Sequence, residues 1–383
     1  MMRVIRMSAS HDRALDALAR RGRLRTLEAR RGVDFASNDY LGLAASDELR
    51  SAIEEALARG VPIGAGGSRL LRGNHPEHEA LEDEAARHFG AESALYFGGG
   101  FIANTAIFST LPQRGDLIVY DEWIHASAHE GMRLSKADAR SALHNDAASV
   151  DDVITAWRGA GGVGQVWIAV ESLYSMDGDR APLDPLMQVA DRHDAMLVID
   201  EAHATGVYGE GGRGLAAHLE GRANVISLHT CGKALGVMGG LVLAPKSIRT
   251  FLINRARAFI YATAPSPLMA TAVRAALHIV RSDDTRKTRL ETLVSTAGRE
   301  LHAKTGITPS GSPIQPIIVG SDMAAVALAA TLKQQGFDIR AIRPPTVAEG
   351  TARLRLTITL NVDQQAVSNL IDALAKARVE QVS

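Results

Sequence analysis

Short apolar runs rich in β-branched residues recur through the middle of the chain and constrain its fold more than any other feature. They read LIVYD (117–121), QVWIAVE (165–171), MLVID (196–200), VISLHT (225–230) and GGLVLAP (239–245). Amphipathic stretches such as SVDDVITAW and PLMQVADRHD lie between several of them. A strand with one face in water alternates apolar and polar side chains. These runs scarcely alternate, so both faces are expected to be buried. Strands of this kind separated by helices predict an α/β fold, with a large, mostly parallel sheet covered by helices. Ligands of such sheets bind beyond the carboxyl ends of the strands. The polar residues there are Asp121, Glu171, Asp200 and Thr230.

After about residue 280 the pattern changes. A helical stretch (284–304) leads to PIQPIIVG, a helix near 322–336, RLRLTIT and a last helix, which reads as a smaller C-terminal α+β domain. The expected divisions are an N-terminal helical arm (1–44), a large domain (45–280) and the small domain (281–383). The arm carries Arg20, Arg21, Arg23, Arg25, Arg30 and Arg31, most of which are expected on the solvated face of one helix. With 383 residues and a formal charge of −1, the chain is long enough for a large core and has no footprint for nucleic acid or anionic membrane. The single cysteine, Cys231, excludes an intrachain disulfide and fits a reducing compartment. No apolar run is long enough to span a bilayer, and MMRVIRMSASHDRALD lacks the apolar centre of a secretory signal. The expectation is a soluble, cytoplasmic protein.

One lysine stands out. In HTCGKALGVMGG (229–240), Lys233 sits between Gly232 and Ala234, with Gly236 beyond, just after a strand. Small neighbours there suggest that something bulky comes close. In IDEAHATG (199–206), Asp200 ends a strand and His203 follows three residues on. A helicase DEAH element would need a phosphate-binding G-x-x-x-x-G-K-[ST] loop, which is absent, and one Asp with one His is too small a metal set. A plain capped strand end is the remaining alternative to a carboxylate facing a cationic ring. GEGGRG (209–214) matches a dinucleotide fingerprint literally but trails a loop instead of joining strand to helix. It reads better as a turn near a site. In YFGGGFIAN (96–104), a strand, three glycines and a helix starting near Phe101 make an anion site or a simple turn. DEWIHASAHEG (121–131) offers His125 at a helix start and His129 one turn on, without further metal ligands nearby. His129 is expected to be structural. In ESLYSMDGD (171–179), Ser175 is a hydroxyl donor or a cap.

A phosphate cradle, a carboxylate at a strand end, two histidines and a lysine in a tight loop together describe a site for pyridoxal 5'-phosphate. A lysine holds that cofactor's aldehyde, and an acid keeps its pyridine nitrogen protonated so that the ring takes up electrons.

The ordered set NDYLGL, GAGGSRLLRGNHPEHEALE, HAS, SMDGD, DEAHATG, GKALG and RPPTVAEGTARLRLT resembles the α-oxoamine synthases, fold-type I pyridoxal-phosphate enzymes, over nearly the whole chain. GGSRLL, AIRPPTV and GTARLRLT look most like the biotin-pathway branch. That branch implies a decarboxylative condensation of L-alanine with a pimeloyl thioester, on coenzyme A or an acyl carrier protein. The products are 8-amino-7-oxononanoate, carbon dioxide and free thiol. Glycine C-acetyltransferase, 5-aminolevulinate synthase and serine palmitoyltransferase share the chemistry and are the alternatives.

The resemblance implies that Lys233 binds the cofactor covalently and takes the α-proton, that Asp200 pairs with the pyridinium nitrogen, and that His203 contacts the ring hydroxyl. It places His125 on the ring. It sets the Gly100 and Phe101 amides, Ser175 and Thr230 around the cofactor and its phosphate. Arg25 and Thr346 are implied substrate ligands, and Arg343 and Arg355 implied carboxylate ligands. A homodimer with shared sites is implied, Thr263 reaching the partner's phosphate. Ala204 stands where the family usually has glycine, and Cys231 where it has phenylalanine or another apolar residue. A non-catalytic relative would be expected to lose Lys233 or Asp200; both are present.

Overall fold

The computed structural model describes residues 8–382. Two compact units divide the chain. The larger holds Asn38–Ser175 and Asp179–Glu291. The smaller holds the residues up to Ser37, Met176–Gly178 and the chain from Thr292 onward.

The larger unit is built on a seven-stranded sheet. Its strands are β1 (Ser93–Phe97), β2 (Leu117–Asp121), β3 (Asp138–Ala142), β4 (Val166–Glu171), β5 (Met196–Asp200), β6 (Val225–Thr230) and β7 (Gly240–Ala244). Their order is β1-β7-β6-β5-β4-β2-β3. Neighbours from β6 to β3 run parallel, while β7 lies antiparallel to both β6 and β1. All five apolar runs form strands where they are expected. The edge strand β3, DARSA, exposes its first four residues. It therefore carries no apolar signature and escapes a reading based on hydrophobic runs.

Burial of both faces follows from residue alternation. Ile118 joins a core with Phe97, Ile107 and Val198, whereas Leu117 and Val119 join another with Ile154, Leu186 and Ile199. The first core is covered by the helix Gly100–Thr110, the second by the helices Ala147–Gly159 and Leu183–Arg192. Each large aliphatic side chain so removed from water contributes roughly 1.5–3 kcal/mol.

The smaller unit has a three-stranded antiparallel sheet of β8 (Ile314–Gly320), β9 (Arg340–Ile342) and β10 (Ala352–Thr357), in the order β9-β10-β8. Val33–Asp34 pairs with Phe337–Asp338 in parallel. Its helices run Asp322–Gln334 and Gln364–Val382, and the helix Thr285–Thr305 belongs to it from Thr292 onward, all close to the ranges expected.

The N-terminal helix spans Ser8–Arg20, so the expected arginine-coated helix needs correction: of the six arginines only Arg20 lies on it. Gly22 takes a left-handed φ of 66°, and the amides of Gly22 and Arg23 return to the carbonyls of Ala19 and Leu18. That pattern satisfies the last carbonyls and ends the helix. The reading of residues 1–7 as part of the arm, without a secretory signal, lies outside the described residues. Among the described residues no helix is long and apolar enough to cross a membrane.

Candidate active site

Three parallel strands of the larger unit end in polar side chains: Glu171 on β4, Asp200 on β5 and Thr230 on β6. Glu171 and Asp200 are register partners. A cavity of about 490 Å³ opens beyond these ends. Lys233, Asp200, His203, His125, Thr230 and the stretch Gly98–Phe101 line it, together with Asn38, Asn104, Ser127 and Glu171.

The glycines face it for separable reasons. A Cβ at Gly100 would stand 2.4 Å from Thr230 Cγ2, which excludes a side chain. At Gly98 and Gly99 an added Cβ meets nothing within 4 Å, so the backbone there borders open space. Gly100 begins an 11-residue helix, whose first amides have no partner inside the helix. An anion of phosphate type is the natural occupant.

A hydrogen-bond chain fixes the polar walls. Asn104 Nδ2 donates to Asp200 Oδ2 at 2.7 Å and to Ser127 Oγ at 2.9 Å. The Ala202 N–H donates to Asp200 Oδ1 at 2.9 Å. Ser127 Oγ lies 2.7 Å from His125 Nδ1, which also accepts the Ser127 N–H at 3.2 Å. Nδ1 is thus the acceptor, and a neutral His125 carries its proton on Nε2. The His125 ring is accessible through the cavity yet surrounded by protein. The resulting desolvation lowers its pKa, with Asp200 opposing and Lys233 adding to the fall. His203 is buried, with Nδ1 2.6 Å from the Tyr40 hydroxyl.

The Lys233 loop folds back on itself through Cys231 N–H to Gly239 O and Val237 N–H to Cys231 O, both 2.9 Å. Gly236 has φ 67°, and a Cβ there would lie 2.4 Å from Ala44 N; one at Gly239 would lie 2.3 Å from the Tyr96 ring. Close packing against the protein therefore requires these two glycines, which corrects the reading of the small residues as room for a ligand alone. Only Gly232, which lines the cavity, leaves such room. Ala204 and Cys231 are both fully buried in this packing.

The remaining expected site residues stand elsewhere. Ser175 is buried, and its N–H donates to Glu171 Oε2 at 3.2 Å. Thr263 is exposed and is not part of the cavity lining. His129 packs edge-on against Tyr120, as a structural residue should. The GEGGRG loop lies off the cavity lining; its following amides, Leu215 and Ala216, bind the buried Glu201.

Within the smaller unit, Arg25 and Arg343 line a second cavity of about 400 Å³ with Lys333, Arg340 and Glu28. Lys333 and Arg340 both pair with Glu28. Arg23 is engaged by Asp322 and Glu349, so Arg25 is the arm arginine presented to this cavity. Burial, then the like charge of Arg25, lower the Arg343 pKa. Thr346 is exposed, its N–H on the Arg343 carbonyl at 3.1 Å. Arg355 is buried in β10 and donates to Thr357 Oγ1 at 2.8 Å.

Sequence reasoning gives no role to Asn38, Tyr40, Asn104 or Ser127. The first two lie in NDYLGL, Ser127 ends HAS, and Asn104 stands one turn after Gly100. That last spacing was the available signal.

Fold and site define the class of fold-type I pyridoxal-phosphate transferases, and residues 30–374 match the family model for aminotransferase class I and II. An 8-amino-7-oxononanoate synthase of Chromobacterium violaceum is 39% identical over 350 residues, covering 91% of this chain and 90% of the relative. The crystal structure of 8-amino-7-oxononanoate synthase from Francisella tularensis superposes with a TM-score of 0.78 at 27% identity, covering 92% and 99% of the two chains. Serine palmitoyltransferase from S. paucimobilis, solved with PLP and myriocin bound, has a TM-score of 0.88 with full coverage of both chains. At 22% identity that likeness is one of fold alone. The chain belongs to the 8-amino-7-oxononanoate synthase family.

Proposed function

We propose that this chain condenses L-alanine with a pimeloyl thioester in biotin biosynthesis, giving 8-amino-7-oxononanoate, carbon dioxide and free thiol. The observation that carries the reading is the cavity joining Lys233, Asp200, His203 and His125 to a glycine-fronted helix start. The donor set fits pyridoxal 5'-phosphate: an amine, a carboxylate beside it, an imidazole to stack, and free amides for a phosphate. When bound, that cofactor supplies an electron sink for the carbanion formed at the amino-acid α-carbon.

The protein's own groups do the rest. The amides of Gly100 and Phe101, Ser175 and Thr230 would surround the cofactor and its phosphate. Asp200, fixed by Asn104 and Ala202, keeps a proton on the ring nitrogen, and His203 meets the ring hydroxyl. Lys233 Nζ holds the cofactor at rest, then takes the α-proton of alanine and returns a proton after carbon dioxide has left. His125, neutral and with Nε2–H available, covers the ring face. Arg25 and Thr346 are the proposed ligands of the acyl donor, and Arg343 and Arg355 of carboxylates, where the planar guanidinium binds both oxygens. The working form is proposed to be a cytoplasmic homodimer in which Thr263 reaches the partner's phosphate. The thioester arrives on coenzyme A or an acyl carrier protein.

A product assay pairing alanine, glycine and serine with a panel of acyl thioesters tests this. Alanine with pimeloyl thioester is expected to give the highest kcat/KM. Glycine with acetyl or succinyl coenzyme A outperforming it would overturn the biotin reading.

A further inference from the structure

Glu171 is the acid in the cavity that this chemistry leaves without a task. It is 2% exposed, ends β4 and stands in register with Asp200. Its Oε2 accepts one bond, from the Ser175 N–H at 3.2 Å. Its Oε1 is buried and has no hydrogen-bond partner among the described residues. A full charge left in that state would lose its hydration without compensation, and keeping the proton avoids the loss.

Two carboxylates at adjacent strand ends hold one proton between them more readily than two charges. The hydrogen-bond donors are shared unequally between them. Asp200 receives two good bonds, from Asn104 at 2.7 Å and Ala202 at 2.9 Å, while Glu171 receives one longer one. Burial, then Asp200, push the Glu171 carboxyl well above its usual range; Asp121 adds to the rise and Lys233 opposes it. The hydroxyl of Tyr174, on the same turn, is neutral.

We propose that Glu171 stays protonated at neutral pH and donates Oε1–H to an oxygen of the molecule held in the cavity. The proposal rests on the reading of this cavity as a cofactor and amino-acid site. Glu171 then positions the bound molecule.

Infrared spectroscopy of protein carrying ¹³C-labelled glutamate reads the proton directly. At about pH 7.5, far above the ordinary glutamate value, cofactor-stripped protein should show a protonated carboxyl band that is missing in Glu171→Gln. A shift of that band on loading pyridoxal phosphate identifies a cofactor oxygen as the acceptor; a shift only on adding L-alanine identifies a substrate oxygen. Glu171→Ala should correspondingly weaken cofactor Kd or raise KM for alanine about tenfold. Glu171→Gln, which still donates, should restore most of the loss. An ionised Glu171 in the stripped protein overturns the proposal, as does an alanine variant that binds both molecules like the wild type. The stripped-protein spectrum is independent of which substrates are turned over, so its failure is distinguishable from failure of the biotin reading.

Discussion

The Tyr40 hydroxyl stands 2.6 Å from Nδ1 of His203, two buried side chains 163 positions apart in sequence. A phenol beside Nδ1 fixes the ring's orientation and ties NDYLGL to DEAHATG. In Tyr40→Phe, His203 loses that bond inside a buried site, a change of about 1 kcal/mol. The expected result is a roughly fivefold to tenfold fall in kcat with the thermal midpoint nearly unchanged. An unaltered kcat would show that this bond does not position His203 for the reaction.

His144 predicts a pH dependence of stability. Burial opposes its charged form, but hydrogen bonds to Asp121 at 2.9 Å and Asp179 at 2.7 Å outweigh this and raise its pKa to about 9. Trp123 stacks on the ring at 3.9 Å. Because the folded value lies above the ordinary 6.5, the stabilisation is complete below that pH and is lost as pH rises through 9. It is worth at most a few kcal/mol, trimmed by the 37% exposure of Asp179. Urea midpoints at about pH 6 and pH 9.5 should differ more in the wild type than in His144→Gln. Equal differences would contradict the assignment.

Glu82 holds two arginines at once. It pairs with Arg69 at 2.8 Å and Arg249 at 2.9 Å, and accepts the Tyr96 N–H at 2.9 Å. Arg69 and Glu82 are nearly inaccessible, with side-chain exposures of 7% and 3%. Removing the carboxylate leaves a buried guanidinium unpaired, so Glu82→Leu should destabilise by about 3–5 kcal/mol in urea unfolding. A loss under 1 kcal/mol would mean that water reaches Arg69 in the variant.

Arg25→Ala addresses the smaller unit's cavity. The expected outcome is a KM for the acyl thioester about tenfold higher, with KM for alanine changed less than about twofold. A rise confined to alanine would reassign Arg25 to the amino-acid carboxylate.

The large sheet was legible because its central strands are buried on both faces and therefore read as unbroken apolar runs. β3 was not, since an exposed edge strand can be as polar as DARSA. Lys233, Asp200, His203, His125, Gly100, Phe101 and Thr230 do meet at one cavity, as their motifs suggest. What remained hidden depends on tertiary contact. Asn104 matters because its amide spans Asp200 and Ser127; its place one turn after Gly100 points toward the site but not to those two partners. Glu171 is visible as a strand end, but its unpartnered oxygen is a property of packing. The arm arginines could not be ranked from sequence, because Arg23 is taken up by Asp322 and Glu349, residues some 300 positions away.

Lys233 is proposed to carry the cofactor and to move the α-proton. Borohydride reduction of the loaded protein followed by peptide mass mapping tests it most directly. A covalent cofactor adduct is expected on the peptide containing Lys233 in the wild type. A folded Lys233→Ala variant is expected to show no adduct and no turnover of alanine with pimeloyl thioester. An adduct on a different lysine, or α-proton exchange at the wild-type rate in the variant, would contradict it.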